Sequence, residues 1–168
     1  MEAKKAGESQ VIMSHVMLPQ DANPAGNVHG GVIMKHIDIA AGVVAVRHAR
    51  CNVVTASIDR LDFYHPAFIG DLLTLKASLN FVGRTSMEVG VRAETENLLS
   101  GQVRHTASAY LTFVALDETG RPKEVPKLVL ETEDEFRRHR EARARREVRL
   151  AEKKKEKQCQ QDIDSCKE

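Results

Sequence analysis

Apolar and polar residues alternate along four stretches in the middle of the chain, and these stretches are rich in β-branched side chains. They cover residues 53–64, 72–82, 86–96 and 103–116. A period of two residues is typical of β-strands that bury one face. Turn-forming residues separate the stretches, such as Gly83 and the segment 97–101. The pattern therefore predicts an antiparallel meander of four strands.

A different pattern precedes the meander. Residues 32–46 are almost wholly apolar, and their only charged or imidazole side chains are Lys35, His36 and Asp38. A helix that is apolar nearly all round is expected to be buried. Since residues 10–18 predict one more strand ahead of it, we expect an α+β domain, with the helix on one face of a curled antiparallel sheet. The open edge of such a sheet favours pairing with a second copy of the chain.

The loop that leads into the helix carries candidate chemistry. Its sequence, DANPAGNVHGG over residues 21–31, ends in the adjacent glycines Gly30 and Gly31. Glycines there allow close approach of a ligand, and the first turn of a helix offers free N–H groups to an anion. A carboxylate within the helix, Asp38, becomes a stronger base when desolvated. On these residues alone Asp38 is either a catalytic base, a partner of Lys35 one turn earlier, or a subunit contact.

Several other polar residues have equally simple structural interpretations. Asn23 precedes a proline and can be a plain turn residue, and His29 can merely fill the turn. Asn27 is the expected side-chain acceptor for the helix N-terminus. Thr55 and Ser57 alternate with apolar neighbours, which predicts that both lie on one polar face of an exposed strand.

The charge distribution divides the chain into a domain and a tail. Net charge is close to neutral, but residues 137–157 hold eleven lysines or arginines against four glutamates. The tail favours helix, and its apolar residues are too sparse to form a packing stripe, so we expect a solvated basic helix. The predicted organisation is a domain over residues 8–130, a basic helical tail over 131–157 and disorder over 158–168. Aromatic residues are absent after Phe136, so nucleic-acid binding is not favoured.

Cysteine and histidine usage argues against disulfides and metals. Cys51, Cys159 and Cys166 are too few and too scattered for a disulfide framework. His29 and His36 lack a third ligand at a recognisable spacing, so no metal is expected. The sequence shows no signal-peptide pattern and no apolar run of membrane-spanning length. We therefore expect a cytoplasmic protein without a membrane partner.

The order of elements and the motifs together resemble the hotdog-fold acyl-CoA thioesterases, more closely the cytosolic acyl-CoA hydrolase group. The segments that carry the resemblance are DANPAGNVHGGVIMKHID at residues 21–38, NVVTASIDRLDF at 52–63, VGRTSMEVGVRAE at 82–94 and VPKLVLETEDE at 125–135. The similarity extends over about residues 10–140. It implies a hotdog fold, in which a curled antiparallel sheet wraps around the long buried helix, followed here by a C-terminal helical tail.

The resemblance also implies a reaction, the hydrolysis of a fatty acyl-CoA to free acid and coenzyme A without a further cofactor. It implies that Asn23 and Asp38 form the catalytic pair, contributed by opposite subunits of a homodimer that assembles as a trimer of dimers. It further implies an oxyanion and substrate site and a coenzyme A path. The oxyanion and substrate site comprises His29, Gly30 and Gly31, and the path comprises Thr55, Ala56, Ser57, Arg84, Thr85 and Ser86. A guanidinium such as Arg84 suits a phosphate of coenzyme A.

Two other function classes remain open at this point. A hotdog-fold hydratase or dehydratase would place an aspartate and a histidine a few residues apart, whereas Asp21 and His29 are eight apart. A non-enzymatic acyl-CoA-binding module would lack a base, whereas this chain has Asp38 together with Asn23. Release of a free thiol separates these classes, because only hydrolysis produces it.

Overall fold

The structure is a computed structural model that describes residues 2–165, with side chains described for residues 2–159. Its centre is a five-stranded antiparallel sheet in the order β2-β4-β5-β6-β3. The strands are β2 (Val11–Val16), β3 (Asn52–Phe63), β4 (Leu72–Val82), β5 (Ser86–Asn97) and β6 (Gln102–Leu116). All five predicted strands are confirmed, but the predicted four-strand meander is wrong, because only β4, β5 and β6 follow one another in the sheet. Strand β3 pairs with β6 instead of β4, so β2 and β3 are the two edges of the sheet.

The long helix α2 (Gly30–Ala49) packs on one face of this sheet. Its buried side is made of Ile33 and Ile37 followed by small residues such as Ala40, Ala41 and Ala45. Small side chains let the helix approach the sheet closely, where it meets inward-facing residues such as Leu111 and Phe113. Burying a side chain like Ile37 contributes roughly 1.5–3 kcal/mol. The helix ends at Arg50, whose φ of 54° is left-handed.

The expectation that α2 is buried on all sides is wrong for a single protomer. Four apolar side chains of this helix are more than a third exposed, namely Met34, Ile39, Val43 and Val46. The edge strand β3 adds Val54, Ile58 and Phe63 to the exposed apolar surface. The sequence identified an apolar helix, but the sheet of one protomer is wide enough to cover only one side of it.

The C-terminal helix α3 (Glu133–Ser165) is not simply a solvated tail. It lies on the opposite face of the sheet from α2, and Ala142 at the contact is fully buried. Around this small residue the helix presents Arg138, His139, Arg145 and Arg149 to the strands. Most described side chains of α3 are exposed, as predicted for a solvated basic helix, but one face docks on the sheet. The sequence did not predict this docking, because it depends on arginines and not on an apolar stripe. The helix includes residues 158–165, for which disorder was predicted, and 166–168, with Cys166, lie outside the described residues.

Short N-terminal elements close the other end of α2. Strand β1 (Lys4–Lys5) pairs in parallel with β7 (Leu128–Val129), and helix α1 (Ala6–Ser9) follows it. Lys4 Nζ donates to the His48 carbonyl at 2.8 Å. Packing therefore begins at residue 4, ahead of the predicted domain start at residue 8. A short 3-10 helix (Pro19–Asp21) connects β2 to the loop before α2.

Across residues 2–165, no helix is both long and apolar enough to cross a membrane. Among the side chains that the structure describes, no three or more histidine, cysteine, aspartate or glutamate groups are arranged to hold a metal ion.

Candidate active site

The loop before α2 is closed by Asn23. Its side-chain Oδ1 accepts hydrogen bonds from the backbone N–H groups of Ala25 at 2.9 Å and Asn27 at 3.3 Å. Its own backbone N–H donates to the Asn27 carbonyl at 2.7 Å. The carbonyl side of the amide is thus used by the loop, whereas Nδ2 has no partner within the described part of the chain. Asn23 is therefore a turn residue that also presents a free donor.

His29, rather than Asn27, caps the helix. Its Nδ1 accepts a hydrogen bond from the Gly31 N–H at 3.0 Å, which places the ring proton on Nε2. The prediction of Asn27 as the capping acceptor was therefore wrong. A Cβ at Gly31 would lie 3.2 Å from His29 Nδ1, so this cap favours glycine at position 31. His29 also holds the loop, because its N–H donates to the Asp21 carbonyl at 2.8 Å.

The first N–H of α2 is available to a ligand. Gly30 begins the helix, and its N–H donates to no atom of residues 2–165. The neighbouring donors are occupied, since Gly31 is bound to the His29 ring and Val32 donates to the His29 carbonyl. An uncommitted donor at the positive end of a 20-residue helix suits an oxyanion.

Asp38 lies at the border between the buried and the exposed sides of α2. It is half-buried, and its Oδ1 accepts a hydrogen bond from Thr55 Oγ1 of β3 at 2.7 Å. No ion pair joins Asp38 to Lys35 in the described chain, so that interpretation does not hold. The carboxylate is oriented by a neutral hydroxyl, and its second oxygen accepts from no group of the described residues, so it can accept from another donor such as a water molecule.

Two β-bulges in the edge strand separate residues that the alternation pattern had placed together. The pairing of β3 with β6 shifts between Thr55 and Ser57, and again between Ile58 and Arg60. Thr55 lies opposite the core residue Phe113 and points to α2, whereas Ser57 lies opposite Thr112 on the α3 side. The prediction that Thr55 and Ser57 share one polar face was wrong, because Ala56 is an extra residue at the first bulge.

The turn from β4 to β5 carries the other predicted binding residues. The carbonyls of Arg84, Thr85 and Ser86 accept hydrogen bonds from the backbone N–H groups of Val125, Ala115 and Gly83 at 2.7–3.0 Å. These bonds fix the turn, while the Arg84 side chain is exposed. No salt bridge of Arg84 occurs in the part of the chain that the structure describes. The guanidinium is therefore available to an anion.

The predicted site residues do not all meet within one protomer. Asp38 and Thr55 are in contact, and His29, Gly30 and Gly31 form one helix terminus. No hydrogen bond connects Asn23 with Asp38 among the described residues of a single chain. Asp59 and Arg149, which pair across β3 and α3, were not identified from the sequence. Asp59 lies within the segment 52–63, but nothing in that segment indicates a partner 90 residues away.

Comparison with known proteins places this geometry in a family. Residues 25–101 match the family model of the thioesterase superfamily. An acyl-CoA thioester hydrolase of Bacillus subtilis (strain 168) is 40% identical over 141 residues, which are 84% of this chain and 82% of that protein. The cytosolic acyl coenzyme A thioester hydrolase of Homo sapiens is 40% identical over 146 residues, which cover 86% of this chain and 38% of that protein. The chain thus spans well under half of the human relative.

Solved structures agree with the sequence comparison. A hexameric acyl-CoA thioesterase superposes with a TM-score of 0.87 at 41% identity, over 90% of this chain and 97% of that one. An acyl-CoA hydrolase from Staphylococcus aureus, in complex with butyryl coenzyme A and coenzyme A, gives 0.86 at 37% identity over 93% and 95%. With the sheet, the helix and the loop in agreement, this chain belongs to the acyl-CoA thioester hydrolases of the hotdog-fold thioesterase superfamily.

Proposed function

We propose that this chain hydrolyses fatty acyl-CoA thioesters to free acid and coenzyme A, at sites completed by two subunits. The observation that carries the proposal is the Asp38 carboxylate, held by Thr55 beside an apolar surface that one protomer leaves uncovered. The carboxylate can act as a base, and the apolar surface beside it can hold an acyl chain. The free N–H donor at the start of α2 can stabilise an oxyanion.

A second copy of the chain is needed to cover that surface. The exposed side chains of α2 and the edge strand β3 lie together, since Thr55 of β3 touches Asp38 of α2. Apolar patches of this kind mark interaction surfaces, and an unpaired edge strand can pair with its copy around a two-fold axis. In this arrangement the loop with Asn23 from one subunit faces Asp38 of the other.

The residues have complementary roles in the hydrolysis. Asp38 accepts a proton from water while the water oxygen forms a bond to the thioester carbon, a step that supplies roughly 10²–10⁴-fold. The carbonyl oxygen becomes an oxyanion that the Gly30 N–H stabilises, which is worth about 2.7–4 kcal/mol for a well-placed donor. When the carbon–sulfur bond breaks, the coenzyme A thiolate takes the proton back from Asp38. Asn23 Nδ2 orients the water or holds the intermediate.

The remaining predicted residues are assigned to binding. His29 and Gly31 keep the helix terminus open to substrate through their mutual hydrogen bond. The exposed guanidinium of Arg84, on its rigid turn with Thr85 and Ser86, binds a phosphate of coenzyme A. Thr55 positions the base, and Ala56 and Ser57 continue along the coenzyme A path.

Related structures support this assignment. The Staphylococcus aureus hydrolase has been solved with butyryl coenzyme A and coenzyme A, and as variants in which one asparagine, one aspartate or one threonine is replaced by alanine. The three replaced residues are spaced along that chain as Asn23, Asp38 and Thr55 are spaced here. Three of the similar thioesterases are described as hexameric, which supports a trimer of dimers for this chain.

The decisive experiment is complementation between two inactive variants. Asn23→Ala and Asp38→Ala are each assayed for thiol release from short, medium and long acyl-CoAs, and are then co-refolded in equal amounts. If the pair comes from opposite subunits, mixed dimers hold one intact site, and activity returns to roughly a quarter of the wild-type value. No recovery would place both residues in one subunit.

The same assay tests the alternative functions. Absence of thiol release by the wild type across the whole acyl-CoA panel would contradict hydrolysis. Consumption of an enoyl-CoA without thiol release would then indicate a hydratase, and saturable binding of coenzyme A esters without turnover would indicate a binding module. A covalent route with an anhydride on Asp38 uses the same residues. A single turnover in heavy-oxygen water distinguishes it where water attacks the aspartyl carbonyl of the anhydride, because the heavy oxygen then stays on Asp38 and does not enter the acid product.

A further inference from the structure

The bulged segment of β3 is held by a buried network from the C-terminal helix. Both oxygens of Asp59 accept hydrogen bonds, Oδ1 from Ser57 Oγ at 2.7 Å and Oδ2 from Thr112 Oγ1 at 2.8 Å. The Arg149 guanidinium of α3 donates to the same Oδ2 and, at 2.7 Å, to Thr112 Oγ1. The side chains of Asp59 and Arg149 are 6% and 14% exposed. This is an ion pair largely removed from water.

The network lies close in sequence to Thr55, the residue that contacts Asp38. Asp59 is the extra residue of the second bulge, and Ala56 is the extra residue of the first. Between the bulges only Ser57 and Ile58 remain, and Ser57 is itself bonded to Asp59. A bulge changes the direction of the side chains that flank it, so the conformation held by Asp59 also determines where Thr55 points.

An edge strand has few other restraints here. Within residues 2–165 of one protomer, strand β3 pairs only with β6, and this pairing is interrupted twice in this region. Loss of Arg149 would leave the Asp59 carboxylate buried without its counter-charge, which strongly favours rearrangement. The nearest part of the strand free to rearrange is the double bulge.

From this geometry we propose that Arg149 is a positioning residue for the reaction, acting through Asp59 and the double bulge of β3 to hold Thr55 against Asp38. The inference rests on the proposed function, since it concerns the same base. It gives the basic C-terminal helix a role in catalysis from the opposite face of the sheet.

The test is a double-variant cycle with a matched control. Arg149→Met removes the charge and retains an unbranched side chain, and Thr55→Val removes the hydroxyl and retains the branched shape. Arg145→Met breaks another buried ion pair of α3, one that involves Glu88 of β5 and not β3. Each variant is assayed alone and in the Thr55→Val background, at a temperature at which circular dichroism shows it to be folded.

The proposal expects a specific pattern of losses. Arg149→Met lowers kcat by up to roughly 10-fold, the loss expected for Thr55→Val, with little change in KM in an otherwise wild-type chain, and by less than about 2-fold when Thr55 is already valine. Arg145→Met has the same effect in both backgrounds. Arg149→Lys, which keeps the charge, restores part of kcat. Equal losses from Arg149→Met in both backgrounds would overturn the proposal, because Arg149 would then act independently of Thr55.

A second readout does not depend on activity. Hydrogen–deuterium exchange of residues 52–59 rises in Arg149→Met and stays near wild type in Arg145→Met, if Arg149 orders the bulges. Unchanged exchange in Arg149→Met overturns the proposal whatever the kinetics show. A wild type that releases no thiol would instead contradict the proposed function, and the exchange result alone would then decide whether Arg149 orders β3.

Discussion

The guanidinium of Arg145 on α3 lies 2.7 Å from the Glu88 carboxylate on β5, with only 2% of the Glu88 side chain exposed. The same guanidinium lies over the Tyr110 ring, 3.7 Å from its centroid. A buried charge that loses its partner is costly, because the remaining ion has neither water nor a counter-charge. The stability of the contact between α3 and the sheet therefore depends on this ion pair, and replacing one partner alone is expected to weaken the contact.

We predict that Arg145→Met lowers the free energy of unfolding by about 3 kcal/mol, as measured by urea denaturation at fixed protein concentration. Replacing both partners, in Glu88→Gln with Arg145→Met, recovers most of that loss because no buried charge is left unpaired. Arg143→Met, on the exposed side of the same helix, serves as control and changes stability by less than about 0.5 kcal/mol. A loss in the single variant no larger than in the control would show that the ion pair does not stabilise the docking.

The base and its hydroxyl partner give a graded prediction for activity. Asp38→Asn lowers kcat roughly 10²–10⁴-fold, since the amide cannot accept the proton from water. Thr55→Val lowers kcat roughly 10-fold, because it removes one hydrogen bond to a charged group while keeping the shape of the side chain. Lys35→Met, one turn away on α2, keeps nearly wild-type kcat. The rate of thiol release at saturating acyl-CoA measures kcat for all three variants. A large loss of kcat in Lys35→Met would favour the interpretation that Asp38 pairs with Lys35.

Stability should decline on mild acidification because of a buried histidine. Burial lowers the pKa of His48 below its usual range, and the hydrogen bond to the Pro126 carbonyl only partly opposes this. In the unfolded chain the same imidazole takes up a proton near pH 6.5. The unfolded state therefore binds more protons below that pH, so the stabilisation is complete above it and is lost as the pH falls.

The substitution His48→Gln tests this, since glutamine keeps a donor near the position of Nε2 and does not titrate. We expect the midpoint of thermal unfolding to change less between pH 7 and pH 5 in this variant than in the wild type. Burial, together with the nearby His15, also lowers the pKa of His36, so part of the acid sensitivity remains. Replacement of the exposed His65 by glutamine is the matched control. An unaltered pH dependence in His48→Gln would contradict the assignment.

A glycine on the outer face of β5 gives a packing prediction. A Cβ at Gly90 would lie 2.5 Å from Asn80 Nδ2, and that amide is buried and donates to Glu88 Oε1 at 3.2 Å. Because Asn80 has little room to move, we expect Gly90→Ala to destabilise the protein by about 1–3 kcal/mol in urea denaturation. Gly7→Ala, whose Cβ would meet nothing within 4 Å, should be neutral or slightly stabilising. If both substitutions changed the free energy of unfolding by similar amounts, the Asn80 side chain would be able to move away from the added methyl group without cost.

Local patterns along the chain were sufficient to predict most of the secondary structure and the family. Alternation along residues 72–82 predicted β4 without error, and the other four strands of the central sheet were correct to within a few residues. The two-residue strands β1 and β7 were not predicted, because they are too short to show alternation. The glycine pair correctly marked the start of α2 at Gly30, because a helix terminus has a local signature. The motifs around Asn23 and Asp38 were sufficient for the resemblance to the acyl-CoA hydrolases, and the comparisons confirm that family.

The orientation of residues that are distant in the chain could not be predicted from local patterns, because it depends on how the elements pack. Alternation assumes an uninterrupted strand, so it could not place Thr55 and Ser57 on opposite sides of the bulge at Ala56. Composition could not show that arginines of the tail meet Glu88 and Asp59, because those carboxylates lie 57 and 90 residues away in the chain. The uncovered side of α2 depends on the width of the sheet beneath it, a property of the assembled fold that no local stretch of sequence encodes.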